Sequence, residues 1–105
     1  MPGLLLILTE AVGERFSAAV ELAAAAAALD RPVAVLLRGP AVSATGRPEV
    51  AKVYDLLFEM GASVSLCQTA MVAHGLTPGD LSGGIEAVTI AGFLAGREDW
   101  QLVLA

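Results

Sequence analysis

The sequence has one cysteine, Cys67, among 105 residues. An intrachain disulfide is therefore impossible, and so is a multi-cysteine metal site; no metal and no cofactor is expected. A single cysteine fits a reducing compartment. Charge is also scarce: 16% of residues are charged, where about 25% is usual. Only six are Lys or Arg against eleven Asp or Glu, for a net charge of −5. The cations are scattered singly from Arg15 to Arg97. Without a basic patch, nucleic acid and anionic membrane surfaces are excluded as partners. Long apolar runs are missing too. The Ala-rich stretch from Val20 to Leu29 is about half of what a membrane span needs. The apolar opening, Leu4 to Leu8, lacks a basic n-region and ends before Glu10, so it does not read as a signal peptide. A soluble, cytoplasmic chain is expected.

What is present is apolar mass, 56% of the residues. Disorder is excluded, because such a chain has ample apolar surface to bury. The length suits a single domain, residues 1–105. A domain this small buries only roughly two-thirds of its unfolded surface. The excess has two outlets, Ala on helices and an oligomer interface.

The patterning alternates strands with helices. Leu4–Leu8 and Val33–Leu37 are continuous apolar runs, as in strands covered on both faces. Ala11–Leu29 reads as a helix, with Val12, Phe16, Ala19, Val20, Ala23 and Ala27 on one stripe. Residues 39–46 read as a loop. A second helix starts at Pro48, with Val50, Val53, Leu57 and Met60 inward and Gly61 as its stop. Ala62–Leu66 is a third strand, and Cys67–His74 a short helix closed by Gly75. Ser82–Gly84 is a flexible segment. Ala87–Ile90, Ala91–Glu98 and Trp100–Leu104 make a strand, a weak helix and a last strand. This order implies an α/β fold, three-layer α/β/α with a five-stranded, mainly parallel sheet.

In such sheets ligands bind beyond the carboxyl ends of the strands. Those ends carry Thr9 and Glu10, Arg38, then Cys67, Gln68 and Thr69, and finally Ala91 and Gly92. Cys67 is the strong nucleophile among them, placed where helix amides and the helix dipole favour a thiolate. The plain alternative is a core cysteine acting as a small hydrophobe. Arg38 could hold an anion or persulfide near Cys67, or be a solvated charge. Glu10 is either a binding carboxylate or an acid at a helix start. His74 lies about 10 Å along the helix from Cys67, too far for a Cys–His pair, and suits a helix C-terminus instead. Trp100 reads as a core or interface anchor.

Other chemistries fail on missing residues. A thioredoxin-like C-x-x-C would need a cysteine where Ala70 stands. A cysteine phosphatase loop would need an Arg at Ala73. A dinucleotide fingerprint is absent from Thr9 to Gly13. A receiver domain would need an Asp at Cys67. With no glycine fingerprint, a nucleotide or small-molecule pocket at the strand ends has little to support it.

The stretch Val64 to Leu76, with Cys67 ending a strand and Gly75-Leu76 eight residues on, resembles the DsrE/DsrF-like family. That family includes TusD-type sulfur relay subunits and YchN-like proteins. The step at Met60-Gly61-Ala62 and the closing Leu102-Val103-Leu104 are similar as well. His74 departs from the family, where an Arg is common, and residues 39–47 lack a matching signature. The resemblance implies a five-stranded parallel sheet between helices and a homo-oligomer, trimer or hexamer. It implies a sulfurtransferase-like role in which Cys67 accepts sulfane sulfur as a persulfide from a donor protein and passes it to an acceptor. Arg38, Gln68, Thr69 and Glu10 are the companion binding candidates read from the strand ends. The competing expectation is a non-catalytic oligomeric scaffold of the same fold with a structural Cys67.

Overall fold

A computed structural model describes residues 2–81 and 83–105. Met1, and Ser82 of the segment expected to be flexible, lie outside the described residues. Five strands form one sheet: β1 (Leu4–Leu8), β2 (Val33–Leu37), β3 (Ser63–Cys67), β4 (Glu86–Val88) and β5 (Gln101–Leu104). Their order is β4-β3-β2-β1-β5, and every adjacent pair is parallel. The apolar runs of β1 and β2 follow from coverage on both sides. Leu4, Leu6, Leu8, Val33, Val35 and Leu37 serve the first face. Leu5, Ala34 and Leu36 serve the second.

Two helices cover the first face, α1 (Gly13–Ala28) and, after the short α2 (Pro40–Ser43), α3 (Pro48–Glu59). The inward residues of α1 are Ala19, Ala23 and Ala26, small enough to bring helix and sheet close together. This helix starts two residues later than its pattern suggests, and Val12 is exposed before it. In α3 the buried residues are Val50, Tyr54 and Leu57, and Met60 faces water. Tyr54 meets the Phe16 ring edge-on, with centroids 6.2 Å apart, a favoured aromatic geometry.

The expected loop after β2 is partly helical. It folds into α2 and a 3-10 turn (Ala44–Gly46), burying Ala41, Val42 and Thr45. Gly61 has φ +90 and closes α3. Strand three runs one residue later than expected, so Cys67 ends β3 and does not open α4 (Gln68–Ala73). Gly75, with φ +72, turns the chain so that the Leu76 amide donates to the Met71 carbonyl (3.0 Å). Leu76 thereby drops onto the core.

Successive steps from β1 to β4 move in one direction, and right-handed crossovers put α1 and α3 on one side. The last step reverses. From β4 to β5 the chain crosses four strand spacings, about 19 Å, and the same handedness sends residues 89–100 across the second face. That passage contains α5 (Ile90–Leu94), whose buried residue is Phe93. The Arg97 guanidinium lies 5.2 Å from both the Phe93 and the Trp100 ring centroids. Its Nη1 also donates to the Phe93 carbonyl (2.7 Å). The third layer is consequently thin. Leu102 is 51% exposed and Leu104 74%, with Ile90 and Leu94 also open. No helix among the described residues is long and apolar enough to cross a membrane.

Two packing features yield predictions. The Tyr54 hydroxyl is buried with no partner among the described residues, and burial pushes its pKa up to about 12. The folded state holds this proton more tightly than the unfolded state. That contribution is present below about pH 10 and is lost as pH rises toward 12. Tyr54→Phe is expected to keep or raise stability, by up to about 1–3 kcal/mol in urea unfolding, since it removes an unsatisfied group. Because Tyr54 is the single tyrosine, phenolate absorbance should rise near pH 12 in the native protein and near pH 10 when unfolded. Gly3 is buried with the Trp100 ring directly above its Cα, so that a Cβ there would overlap the ring. Gly3→Ala should cost about 1–3 kcal/mol as overpacking, read from the denaturation midpoint.

Candidate functional site

The carboxyl end of β3 presents Cys67, the residue that precedes α4 as its N-cap. Its side chain belongs to the second-face cluster with Leu5, Ala34, Leu36 and Phe93, and it is 3% exposed. Val88 of β4 is its register partner. The thiol is therefore surrounded by apolar groups and lies in the part of the sheet that the 89–100 crossing covers. That crossing carries α5, a five-residue helix with one buried side chain. Its N-cap is Thr89, whose Oγ1 accepts from the Gly92 N–H (3.0 Å). Elements with so few buried contacts open at low cost.

The companion residues are placed differently. Gln68 and Thr69 occupy the first turn of α4 and face water. Arg38 follows Leu37, the register partner of Leu66, so its backbone lies beside the end of β3. Its side chain is exposed and does not share the thiol's apolar cluster. Glu10 is exposed at the end of β1, two strands from β3 or roughly 10 Å in the sheet plane. The structure thus brings the candidates to one edge of the sheet and buries the thiol while the polar groups stay solvated.

His74 follows α4, as its sequence position suggests, and its Nδ1 shares a hydrogen bond with Ser43 Oγ (3.0 Å). The bond ties α4 to α2. No sequence signal marks Ser43, because its stretch reads as a loop. Phe93, which shares the thiol's cluster, sits in a segment whose sequence gives only a weak helical pattern. No group of three His, Cys, Asp or Glu side chains among the described residues is arranged to hold a metal ion.

The return from α4 to β4 passes through a turn at Pro78–Asp80. The Thr77 N–H and Oγ1–H both donate to Asp80 Oδ2, at 2.8 and 2.9 Å. The backbone bond first, and the hydroxyl second, hold the Asp80 carboxyl below its ordinary range.

The fold has close parallels. The structure matches the YchN protein from E. coli with a TM-score of 0.79, 18% identity and complete coverage of both chains. It matches MTH1491 from Methanobacterium thermoautotrophicum, a protein of unknown function, with a TM-score of 0.71 and 19% identity over 98% of this chain and 99% of that one. BT1422 from Bacteroides thetaiotaomicron, also of unknown function, gives 0.76 and 14% over 97% and 94%. No family model and no curated protein matches the sequence. The YchN-like, DsrE-type α/β fold is what these similarities establish.

The Asp80 geometry predicts a titration. Its folded pKa is depressed, so the turn's contribution is present above the unfolded carboxylate pKa and is lost as pH falls through the folded value. In an NMR titration the Thr77 amide resonance should move with a midpoint below those of freely solvated carboxylates. Asp80→Asn should abolish that movement; a Thr77 signal that still titrates would contradict the assigned bond.

Proposed function

With the YchN-like fold as premise, we propose that this chain is a carrier of sulfane sulfur, with Cys67 cycling between thiolate and persulfide. The observation that carries the reading is the place of Cys67. It ends β3 on the ligand-binding edge of a parallel sheet, under a cover held by one buried side chain, Phe93. The DsrE/DsrF-like pattern from Val64 to Leu76 supports it. In the forward step the Cys67 thiolate attacks the outer sulfur of a donor persulfide. A new S–S bond forms on Cys67 and the donor leaves as a thiolate. An acceptor thiolate then attacks that outer sulfur and releases the Cys67 thiolate, so neither step consumes an oxidant. The donor and acceptor are cysteine-bearing proteins, and a free thiol suits a cytoplasmic, reducing setting.

The carrier works as a homo-oligomer. Ile90, Leu94, Leu102 and Leu104 leave apolar surface open on α5 and on the uncovered edge strand β5, the kind of patch that marks an interface. The resemblance points to a trimer or hexamer.

A second reading has its own observation. At 3% exposure, Cys67 fits a structural core residue of an oligomeric scaffold. Persulfide loading separates the two. The carrier reading expects the native protein to gain one sulfur atom on Cys67, seen by intact-mass spectrometry after incubation with a small-molecule persulfide. Phe93→Leu and Phe93→Ala should speed that uptake in turn, the second by about tenfold or more, because Phe→Ala in a core costs about 3–5 kcal/mol. No uptake in any of the three, with alkylation only after unfolding, would leave the scaffold reading standing.

A further inference from the structure

The placement of β5 creates a second feature, on the face opposite Cys67. Because the chain reaches β5 across the second face, no helix among the described residues lies above β5 on the first. A trench of about 250 Å³ remains between α1 and β5, with Leu6, Ala18, Ala19, Leu22 and Val103 among its lining residues. At the carboxyl end of the strands it meets a cavity of about 180 Å³ lined by Leu8, Thr9, Glu10, Arg15, Phe16 and Ala105. Arg15 and Ala105 line both. Glu10 and Arg15 are the charged residues of that cavity's lining, and neither side chain makes a hydrogen bond or ion pair with any described residue. Two opposite charges kept apart at the mouth of an apolar trench are complementary to a ligand with both charges and a hydrocarbon tail. Each part alone is smaller than the roughly 300–1,000 Å³ of drug-sized pockets, and together they fall at the low end of that range, so the ligand is small.

We propose that this cavity binds a small zwitterion with an apolar tail, the chemistry of an aliphatic α-amino acid. The Arg15 guanidinium fork takes the carboxylate, a pairing its planar donors suit. Glu10 takes the ammonium group, and Thr9 adds a hydroxyl at the same end. The tail lies along the trench against Leu6, Leu22 and Val103. Glu10 thereby acquires a role independent of the thiol, since Cys67 packs on the other side of the sheet.

The test is an NMR titration of the intact protein with L-leucine, and with three analogues that each lack one feature: isocaproate, leucinamide and glycine. Saturable shifts from leucine are expected at the amides of residues 9–16 and 103–105. Each analogue should bind at least about tenfold more weakly, the scale of one lost charge-assisted contact for isocaproate and leucinamide and of a lost buried aliphatic side chain for glycine. Arg15→Gln and Glu10→Gln, both at exposed positions, should weaken leucine binding to the same degree. Leucine that produces no saturable shift would overturn the proposal. So would isocaproate binding as tightly as leucine, or leucine binding that is indifferent to both substitutions.

Discussion

The structure turns on one connection, the crossing from β4 at one edge of the sheet to β5 at the other. Residues 89–100 must span about 19 Å and still leave a helical turn to cover the second face. They manage this because what lies beneath is small. Gly3 admits the Trp100 ring, and Ala34 and Cys67 lie in the same cluster as Phe93. Arg97, between the Phe93 and Trp100 rings, links α5 to the start of β5. Cation–π contacts of this kind contribute about 0.5–1 kcal/mol at exposed sites and more when desolvated. The third layer is therefore thin over the thiol's cluster, where Phe93 is the buried side chain of α5.

The first face is built on the opposite principle. Ala19, Ala23 and Ala26 let α1 approach β1 and β2 closely, and Tyr54 and Leu57 of α3 fill the wider space beside them. Much of the alanine surplus is used here, at little side-chain entropy cost on burial. Electrostatics contributes little: among the described residues no ion pair forms within 4.0 Å. Cohesion comes from apolar burial and from the parallel ladders of β1 with β2 and β5.

How much of this the sequence discloses depends on how local the cause is. The limits of β1 and β2 are legible because unbroken Leu and Val runs flanked by polar residues have one good reading. The start of α3 is legible from Pro48, and its end from Gly61. The position of Cys67 at a strand end is legible to within one residue. Its burial is not, because the cover comes from Phe93, twenty-six residues on, and arrives only if β5 joins the sheet beside β1. Strand order is set by handedness and edge competition, which no window of residues encodes. The helical turns of α2 escaped for a related reason. Ala41 and Val42 become helical while burying themselves against the core, and an Arg-Gly-Pro step ahead of them reads as a loop.

The same crossing links the two candidate sites while keeping them physically separate. By passing over the second face it shelters Cys67 and leaves the outer side of β5 apolar and open. By avoiding the first face it leaves β5 without a helix there, which opens the trench beside α1. A chain that placed its fifth strand next to β4 would need no such crossing, and it would have neither a one-residue cover over the thiol nor an unroofed edge next to Arg15. The thiol packs in one cluster with Phe93 of α5, and the Glu10–Arg15 cavity lies where α1 meets the end of β1. Changes at one can leave the other intact, because the sheet between them, with Leu36, Leu37 and Val35 fully buried, is the least deformable part of the molecule.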